Sequence, residues 1–201
     1  SLSFPSMNVL SQGTLIVGSA TALGGTINLS GKLIQSGTSR ISGLIDMGAT
    51  ATTDVTGTLN LDTGIRDSGG APIVGAGTLS LPAFASFSGF GTVQPSIINN
   101  GTILPSNGNL VINSANLVNN GTINIQPGAA MFFGSQTNFT NAGTIVINSG
   151  TLSCSNQLLF NGSGQQITLN GGLLAAFGFN NFGTFSGFGQ RSSTAIVDNF
   201  A

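Results

Sequence analysis

Apolar residues alternate with small or polar residues over most of this chain. The alternation is clearest in Thr58-Leu59-Asn60-Leu61, Thr122-Ile123-Asn124-Ile125 and Thr144-Ile145-Val146-Ile147-Asn148. A period of two places successive side chains on opposite faces of a strand, and Ile, Val and Thr suit a half-buried pleated surface. No apolar pattern with helical spacing persists, and the strong helix former Glu is absent. The pattern therefore predicts an all-β protein.

A Gly-Thr dipeptide, in most copies followed by an apolar residue, returns every 19 to 24 residues. The copies begin at Gly13, Gly37, Gly57, Gly77, Gly101, Gly121, Gly143, the degenerate Gly162 and Gly183. Extra copies at Gly25 and Gly91 fall inside the two longest intervals, where irregular coils are expected. A unit of this size, with two or three short strands, matches one turn of a β-solenoid whose coils stack ~4.8 Å apart. The sequence predicts a β-solenoid (parallel β-helix) with about nine coils of roughly 20 residues.

A β-sandwich is the main alternative, because it also consists of short strands bounded by turns. An interval near 20 residues, rather than about 8–12, favours the solenoid. We expect one domain over residues 1–201, with two repeat blocks at about 1–91 and 92–190. The blocks are indicated by Phe87-Ser88-Gly89-Phe90-Gly91, which returns as Phe185-Ser186-Gly187-Phe188-Gly189.

The repeated glycine is predicted to lie at a corner that requires either a positive φ or a close backbone approach. Asparagine often precedes this glycine, and asparagines at equivalent corners would hydrogen-bond from coil to coil. The predicted structural ladder consists of Asn100, Gly101, Thr102, Asn120, Gly121, Thr122, Asn141, Gly143, Thr144, Gly183 and Thr184.

Charge is scarce and unevenly distributed. No Asp, Glu, Lys, Arg or His occurs from Ser68 to Gln190, and the formal net charge of the chain is -1. Acid–base catalysis, carboxylate metal sites and phosphate binding need ionisable groups, so we expect no enzyme, no cofactor, no metal and no nucleic-acid partner. A surface without charge also loses the repulsion that keeps soluble proteins apart, which favours self-association.

Four carboxylates lie close together in sequence, at Asp46, Asp54, Asp62 and Asp67. A calcium cluster or a hydrolytic pair is one interpretation of them. A simpler one is an ion pair between coils, because Asp46 and Arg66 are 20 residues apart, which is one coil. We predict the Asp46–Arg66 pair and keep the cluster as the alternative.

The remaining features bear on location and partners. The apolar runs are far shorter than the ~20 residues of a membrane-spanning helix, so no span is predicted. A processed, exported chain is expected, because no basic segment followed by an apolar one stands near Ser1. Phenylalanines crowd into residues 84–90 and 177–188, where they fill the core, make end contacts or stack on sugars.

The repeat resembles that of bacterial secreted β-helical surface proteins, namely autotransporter passengers and filamentous-haemagglutinin-like adhesins. The clearest copy is Asn141-Ala142-Gly143-Thr144-Ile145-Val146-Ile147, and the likeness covers most of residues 10–190. The resemblance implies export and a cell-surface or extracellular location, and it assigns no catalytic residue. Such passengers often carry charged outer faces, and this chain does not.

Together these observations predict a structural subunit of an extracellular fibre, polymerising with copies of itself. Polymerisation would occur by end-to-end β-stacking or by exchange of segment 1–10 or 192–201, because only Arg191 and Asp198 offer charge near the C-terminal end. The alternative is a cell-surface adhesin that binds a glycan or a neighbouring cell. An enzyme of the parallel β-helix type and an ice-binding threonine face are further alternatives, disfavoured by the missing carboxylates and by the single regular threonine per coil.

Overall fold

A computed structural model describes residues 2–134, 137–193 and 197–199. The described residues form 23 strands and no helix. The strands are β1 (Leu2–Val9), β2 (Thr14–Val17), β3 (Ala22–Leu29), β4 (Lys32–Gln35), β5 (Thr38–Ile41), β6 (Leu44–Met47), β7 (Thr52–Val55), β8 (Thr58–Leu61), β9 (Gly64–Asp67), β10 (Ile73–Val74), β11 (Thr78–Leu81), β12 (Ser86–Val93), β13 (Ser96–Asn99), β14 (Thr102–Ile112), β15 (Asn116–Asn119), β16 (Thr122–Ile125), β17 (Ala130–Phe133), β18 (Asn138–Asn141), β19 (Thr144–Asn148), β20 (Thr151–Asn161), β21 (Gln166–Asn181), β22 (Thr184–Ser193) and β23 (Val197–Asn199).

Every strand pairing is parallel and joins residues about one repeat apart. The chain is a β-solenoid of about nine turns with roughly 20-residue spacing, so the predicted fold class is confirmed. The pairings form three stacks. Face 1 contains the starts of β1 and β3, β5, β8, β11, β13, β15, β18, the ends of β20 and β21, and β23. Face 2 contains the ends of β1 and β3, β6, β9, β16, β19 and the starts of β12, β14, β21 and β22. Face 3 contains β2, β4, β7, β10, β17, the start of β20, the middle of β21 and the ends of β12, β14 and β22.

The core is a continuous column of inward side chains. On face 2 one line of neighbouring residues runs through Met7, Ile27, Ile45, Ile65, Phe87, Ile103, Ile123, Ile145, Ile167 and Phe185. The isoleucines in this line are fully buried. Their outward neighbours are polar or half-buried, as the period-two pattern predicts. Like residues stack on like residues because each strand pairs in register with the strand one coil away.

The Gly-Thr dipeptides do not form one stacked series. Thr58 pairs with Thr78 on face 1, whereas Thr102 pairs with Thr122 on face 2. The dipeptide changes face in both of the longest intervals, from face 3 at Gly13 to face 1 at Gly37 and from face 1 at Gly77 to face 2 at Gly101. A repeat interval gives the length of a coil but not the face on which the motif lies, so sequence spacing alone merged copies on different faces into one series.

The copies on faces 1 and 2 require glycine for the same reason, which is close packing of backbone on backbone. A Cβ on Gly57 would overlap the carbonyl oxygen of Gly37, and a Cβ on Gly121 would overlap that of Gly101. The φ angle is positive at Gly37 (65°) but not at Gly57 or Gly121. Close approach, rather than a positive φ, therefore explains the glycine at most of these corners.

The longer echo in the sequence also has a place in the fold. Phe87 and Phe185 lie in the same inward column, and the glycines that follow them adopt positive φ angles where face 2 turns into face 3. One pairing network joins all 23 strands. The division into blocks 1–91 and 92–190 stays a prediction.

We predict that Gly121→Ala destabilises the solenoid by about 2 kcal/mol or more, because backbone must move to admit the methyl group. Gly18→Ala is the matched control, since its Cβ would meet no atom within 4 Å. Thermal unfolding followed by circular dichroism measures both variants. Equal melting temperatures for the two would show that close backbone approach does not constrain Gly121.

Candidate functional site: an inner asparagine ladder and an uncharged outer face

Five buried asparagines form a hydrogen-bonded line inside face 1. This inner Asn ladder consists of Asn99, Asn119, Asn141, Asn161 and Asn181, all at most 5% exposed. The Nδ2 of each of the first four donates to the Oδ1 of the asparagine in the following coil, at distances of 2.7, 2.8, 3.5 and 2.6 Å. The ladder continues a column whose earlier rungs are aliphatic, at Ile41, Leu61 and Leu81.

The same side chains also close the corner between face 1 and face 2. Asn99 Oδ1 accepts a hydrogen bond from the N–H of Gly101 at 3.1 Å, and its Nδ2 lies 3.1 Å from the carbonyl oxygen of Thr122. Asparagine favours such a turn because its amide satisfies backbone groups two residues away. The amide of each rung thus has a partner for its donor and its acceptor, which a buried polar group requires.

The structure separates the asparagines that the sequence grouped together. Asn141 belongs to the inner ladder, but Asn100 and Asn120 point outward, where Asn120 Nδ2 donates to Asn100 Oδ1 at 2.9 Å. The buried members of these two coils are Asn99 and Asn119. The predicted set therefore mixed an inner and an outer position. The copy in which Asn141 stands two residues before Gly143, with Ala142 between them, is the signal that identifies the inner position.

The other predicted ladder residues lie around the same corner. Thr102, Thr122 and Thr144 begin the strands of face 2 and are half-buried, and Thr184 begins the last strand there and is exposed. The residues just before them are Gly101, Gly121, Gly143 and Gly183, each packed against backbone of the preceding coil. They serve the coil geometry and bring no reactive group to a common point.

We predict that Asn119→Ala lowers the free energy of unfolding by about 2–4 kcal/mol, because it removes partners from buried amides of two neighbouring coils. Asn120→Ala is the matched control: it changes the adjacent residue of the same type, which is exposed, and its effect should be within about 0.5 kcal/mol. Urea unfolding measures both. A ladder that does not stabilise the fold would give the two variants similar midpoints.

Three ion pairs connect neighbouring coils in the N-terminal part of the chain. Arg66 and Asp46 lie in register on face 2, and Arg66 Nε donates to Asp46 Oδ1 at 2.9 Å. This hydrogen bond and the charge of Arg66 hold the pKa of Asp46 below its ordinary value. The other pairs are Arg40–Asp62, at 2.8 Å, and Lys32–Asp54, at 3.6 Å. All six side chains are partly exposed, so each pair contributes little to stability.

These pairs separate the carboxylates that the sequence placed close together. Asp46, Asp54 and Asp62 each contact a cation of a neighbouring coil. Within the described residues no group of three or more His, Cys, Asp or Glu side chains is placed to hold a metal ion. Burial also raises the pKa of the Cys154 thiol to about 12, so this cysteine is protonated at neutral pH.

Asp67 differs from the other carboxylates because it points inward. It lies in register with Met47, is 1% exposed, and accepts hydrogen bonds at Oδ1 from the N–H groups of Gly69 and Ala71 at 3.1 and 3.0 Å. Its Oδ2 has no hydrogen-bond partner among the described residues. Burial raises the pKa of Asp67, and the backbone N–H groups oppose that rise.

We predict opposite pH signatures for Asp67 and Asp46. Because the folded pKa of Asp67 is raised, ionisation of this carboxyl costs stability as pH rises from its ordinary pKa through its raised pKa. The unfolding free energy of Asp67→Asn relative to the wild type should therefore be higher at about pH 7 than at about pH 3. The folded pKa of Asp46 is lowered, so its ion pair stabilises the fold above the ordinary pKa and is lost as pH falls through the lowered one.

Asp46→Asn is accordingly the control: its relative stability should be lower at about pH 7 than at about pH 3. Urea unfolding of the wild type and both variants at the two pH values gives the difference in unfolding free energy of each variant from the wild type at each pH. The same sign for both variants would contradict the assignment of Asp67 as an inward carboxyl.

The outer surface of face 1 changes character along the solenoid. Its N-terminal part carries Thr, Ser, Asn and Arg40, whereas its C-terminal part carries apolar side chains interspersed with Asn116, Asn138, Thr140 and Asn180. We call this part the neutral strip, formed by the outward side chains of Ile98, Val118, Leu158, Phe160 and the adjoining Phe182. Ile98, Leu158, Phe160 and Phe182 are between 40% and 53% exposed.

Two rings lie next to each other in the neutral strip. The centroids of Phe160 and Phe182 are 5.3 Å apart, with the rings tilted by 37°. Other phenylalanines fill the core, as Phe87, Phe133 and Phe179 do. The fold therefore divides the phenylalanines between core and surface. The sequence could not assign each one, because both uses occur within the same clusters.

No protein family, curated protein or solved structure matches this chain. The described residues also contain no helix long and apolar enough to cross a membrane. The geometry of the chain itself is therefore the basis for a function.

Proposed function

We propose that this protein is a structural subunit of an extracellular self-assembling fibre or filament. The observation that carries the proposal is the neutral strip, which lies in the segment from Ser68 to Gln190 that contains no Asp, Glu, Lys, Arg or His. An exposed apolar surface in contact with water favours association, and here no like charges oppose the approach of another copy.

The shape of the strip supports a copy of this chain as the partner. Strands within one face follow each other at the fixed spacing of a parallel sheet, so the outward side chains of Ile98, Val118, Thr140 and Phe160 form an uncharged row. The same row on a second copy has the same spacing and the same lack of charge. Two copies can therefore place uncharged rows of the same spacing against each other without charge repulsion.

The two predicted routes of polymerisation have different support. Strand β1 pairs with β3 only, among the described residues, and Leu2 at its start is 57% exposed. An edge of this kind accepts a further strand, which supports exchange of segment 1–10. The other predicted segment, 192–201, lies partly outside the described residues. The extracellular location rests on the family resemblance of the repeat.

An adhesin is the second candidate, and the Phe160–Phe182 pair favours it. Two adjacent, exposed rings on a flat uncharged face are suited to the apolar C–H faces of sugars in a neutral glycan. In this function the neutral strip would contact a glycan of another cell instead of a copy of this chain.

We predict that the wild-type chain associates side by side and that Phe160→Asp prevents this association, because the variant introduces charge into the centre of the strip. Phe160 is half exposed, so the substitution does not place a charge in the core. Asn109→Asp adds the same charge at an exposed position of face 3 and should associate as the wild type does. Sedimentation velocity over a concentration series gives the mass, and electron microscopy gives the width of the particles.

Single rods at every concentration would contradict the fibre proposal. Single rods that are retained by neutral glycans, with retention lost in Phe160→Asp and kept in Asn109→Asp, would support the adhesin instead. Assembly of Phe160→Asp to the same extent as the wild type would show that the neutral strip is not the contact.

A further inference from the structure

One inward column of face 3 ends on a charged residue. Its successive rungs are Leu110, Met131, Leu152 and Leu174, all fully buried, followed by Arg191 in register with Leu174. Four coils therefore place an apolar side chain at this position, and the fifth places a guanidinium. A charged group at an inward position of a sheet is a device that discourages further strand pairing.

The rest of this coil shows the same loss of apolar core. Gly187 lies in register with Leu169, and Ser193 lies in register with Ala176. On face 3 Gly189 and Arg191 occupy a stretch that is exposed, unlike the buried inward residues of the preceding coil. The coil formed by β22 therefore offers a smaller and more polar inner surface than the coils before it.

The side chain of Arg191 lies over an inward ring of the neighbouring face. Its guanidinium carbon is 5.8 Å from the centroid of the Phe185 ring, and Phe185 is the inward residue of the neighbouring face in the same coil. The cation thus lies over the ring that ends the face 2 column. Attraction to the ring face holds the guanidinium there while its other side stays in water.

A further coil stacked on β22 would bury this guanidinium. Burying a charge is costly unless an opposite charge pairs with it. If the added coil were that of β1 and β2 in a second copy, it would supply no carboxylate, because residues 1–17 contain no acidic residue. Stacking of that coil would therefore bury Arg191 without an opposite charge.

We propose that Arg191 caps the apolar core and prevents a coil of a second copy from stacking on β22. Only two charges occur near this end, Arg191 and Asp198, so the sequence predicts no charged cap. The inward register of Arg191 is visible only in the structure. This proposal rests on the proposed function in one respect, namely that the associating partner is a second copy of this chain. The cap disfavours stacking on β22 and leaves association along the sides and pairing at the β1 edge as routes of assembly.

The test replaces Arg191 by leucine, the residue found at positions 152 and 174 of the same column. Arg191→Leu should create rods joined end to end, which appear as particles of greater length and unchanged width. Gln190→Leu is the matched control, since it adds the same side chain at the adjacent outward position, in register with the half-buried Leu173. Electron microscopy of length and width, with sedimentation velocity of the same samples, distinguishes end joining from side association.

Arg191→Lys keeps the charge and should behave as the wild type. Arg191→Gln removes the charge but stays polar, and it should also form rods joined end to end if the leucine variant does not fold. Introducing Phe160→Asp together with Arg191→Leu removes side association and should leave end joining intact. If the wild type never associates but the double variant forms rods joined end to end, the result supports the cap and contradicts the fibre proposal.

Three results would overturn the cap. These are end-to-end filaments of the wild-type chain, a length distribution of Arg191→Leu equal to that of the wild type, and equal end joining by Gln190→Leu. End-to-end filaments of the wild-type chain would still support the fibre proposal, but with the ends of the solenoid as the contact in place of the neutral strip.

Discussion

Each coil of this protein hydrogen-bonds in register to the coil before it, and this constraint decides what each position can hold. A residue has the same environment as the residue one coil away, at a distance fixed by the backbone. Buried isoleucines therefore stack on isoleucines in the column that includes Ile45, Ile65 and Ile123. Glycine is required where the backbone of one coil presses on the next, as at Gly57 on Gly37 and Gly121 on Gly101.

The same constraint explains how the chain buries polar groups without charge. An amide carries both a donor and an acceptor, so a stack of identical amides satisfies itself from coil to coil. The inner Asn ladder from Asn99 to Asn181 uses this property and also closes the turn into face 2. A carboxylate cannot do so, because it only accepts, and Asp67 accordingly leaves Oδ2 without a partner among the described residues.

Apart from Asp67, the charged side chains that the structure describes lie where the register gives them an opposite charge or water. Arg66 and Asp46 occupy equivalent outward positions of adjacent coils, and Arg40 and Lys32 also contact carboxylates of neighbouring coils. From Ser68 to Gln190 the outer surface has no such pairs, and the neutral strip takes their place. Arg191 follows the same logic from inside, because an inward charge is stable only where no further coil covers it.

The sequence by itself determined the strand pattern, the coil length and the scarcity of charge. These properties depend on alternation, spacing and composition, which are visible along one dimension. It also predicted the contact between Asp46 and Arg66, because both lie in regular strands one repeat apart.

The tertiary structure decided which of two adjacent, chemically identical residues faces inward. Asn99 and Asn100 differ only in the face of the strand from which they project, and the Gly-Thr dipeptides at Gly77 and Gly101 differ only in the side of the solenoid on which they lie. It likewise decided that Arg191 occupies a core column. A repeat interval gives the period of the coils but not their phase, and the phase is set only when the three faces close around a common core.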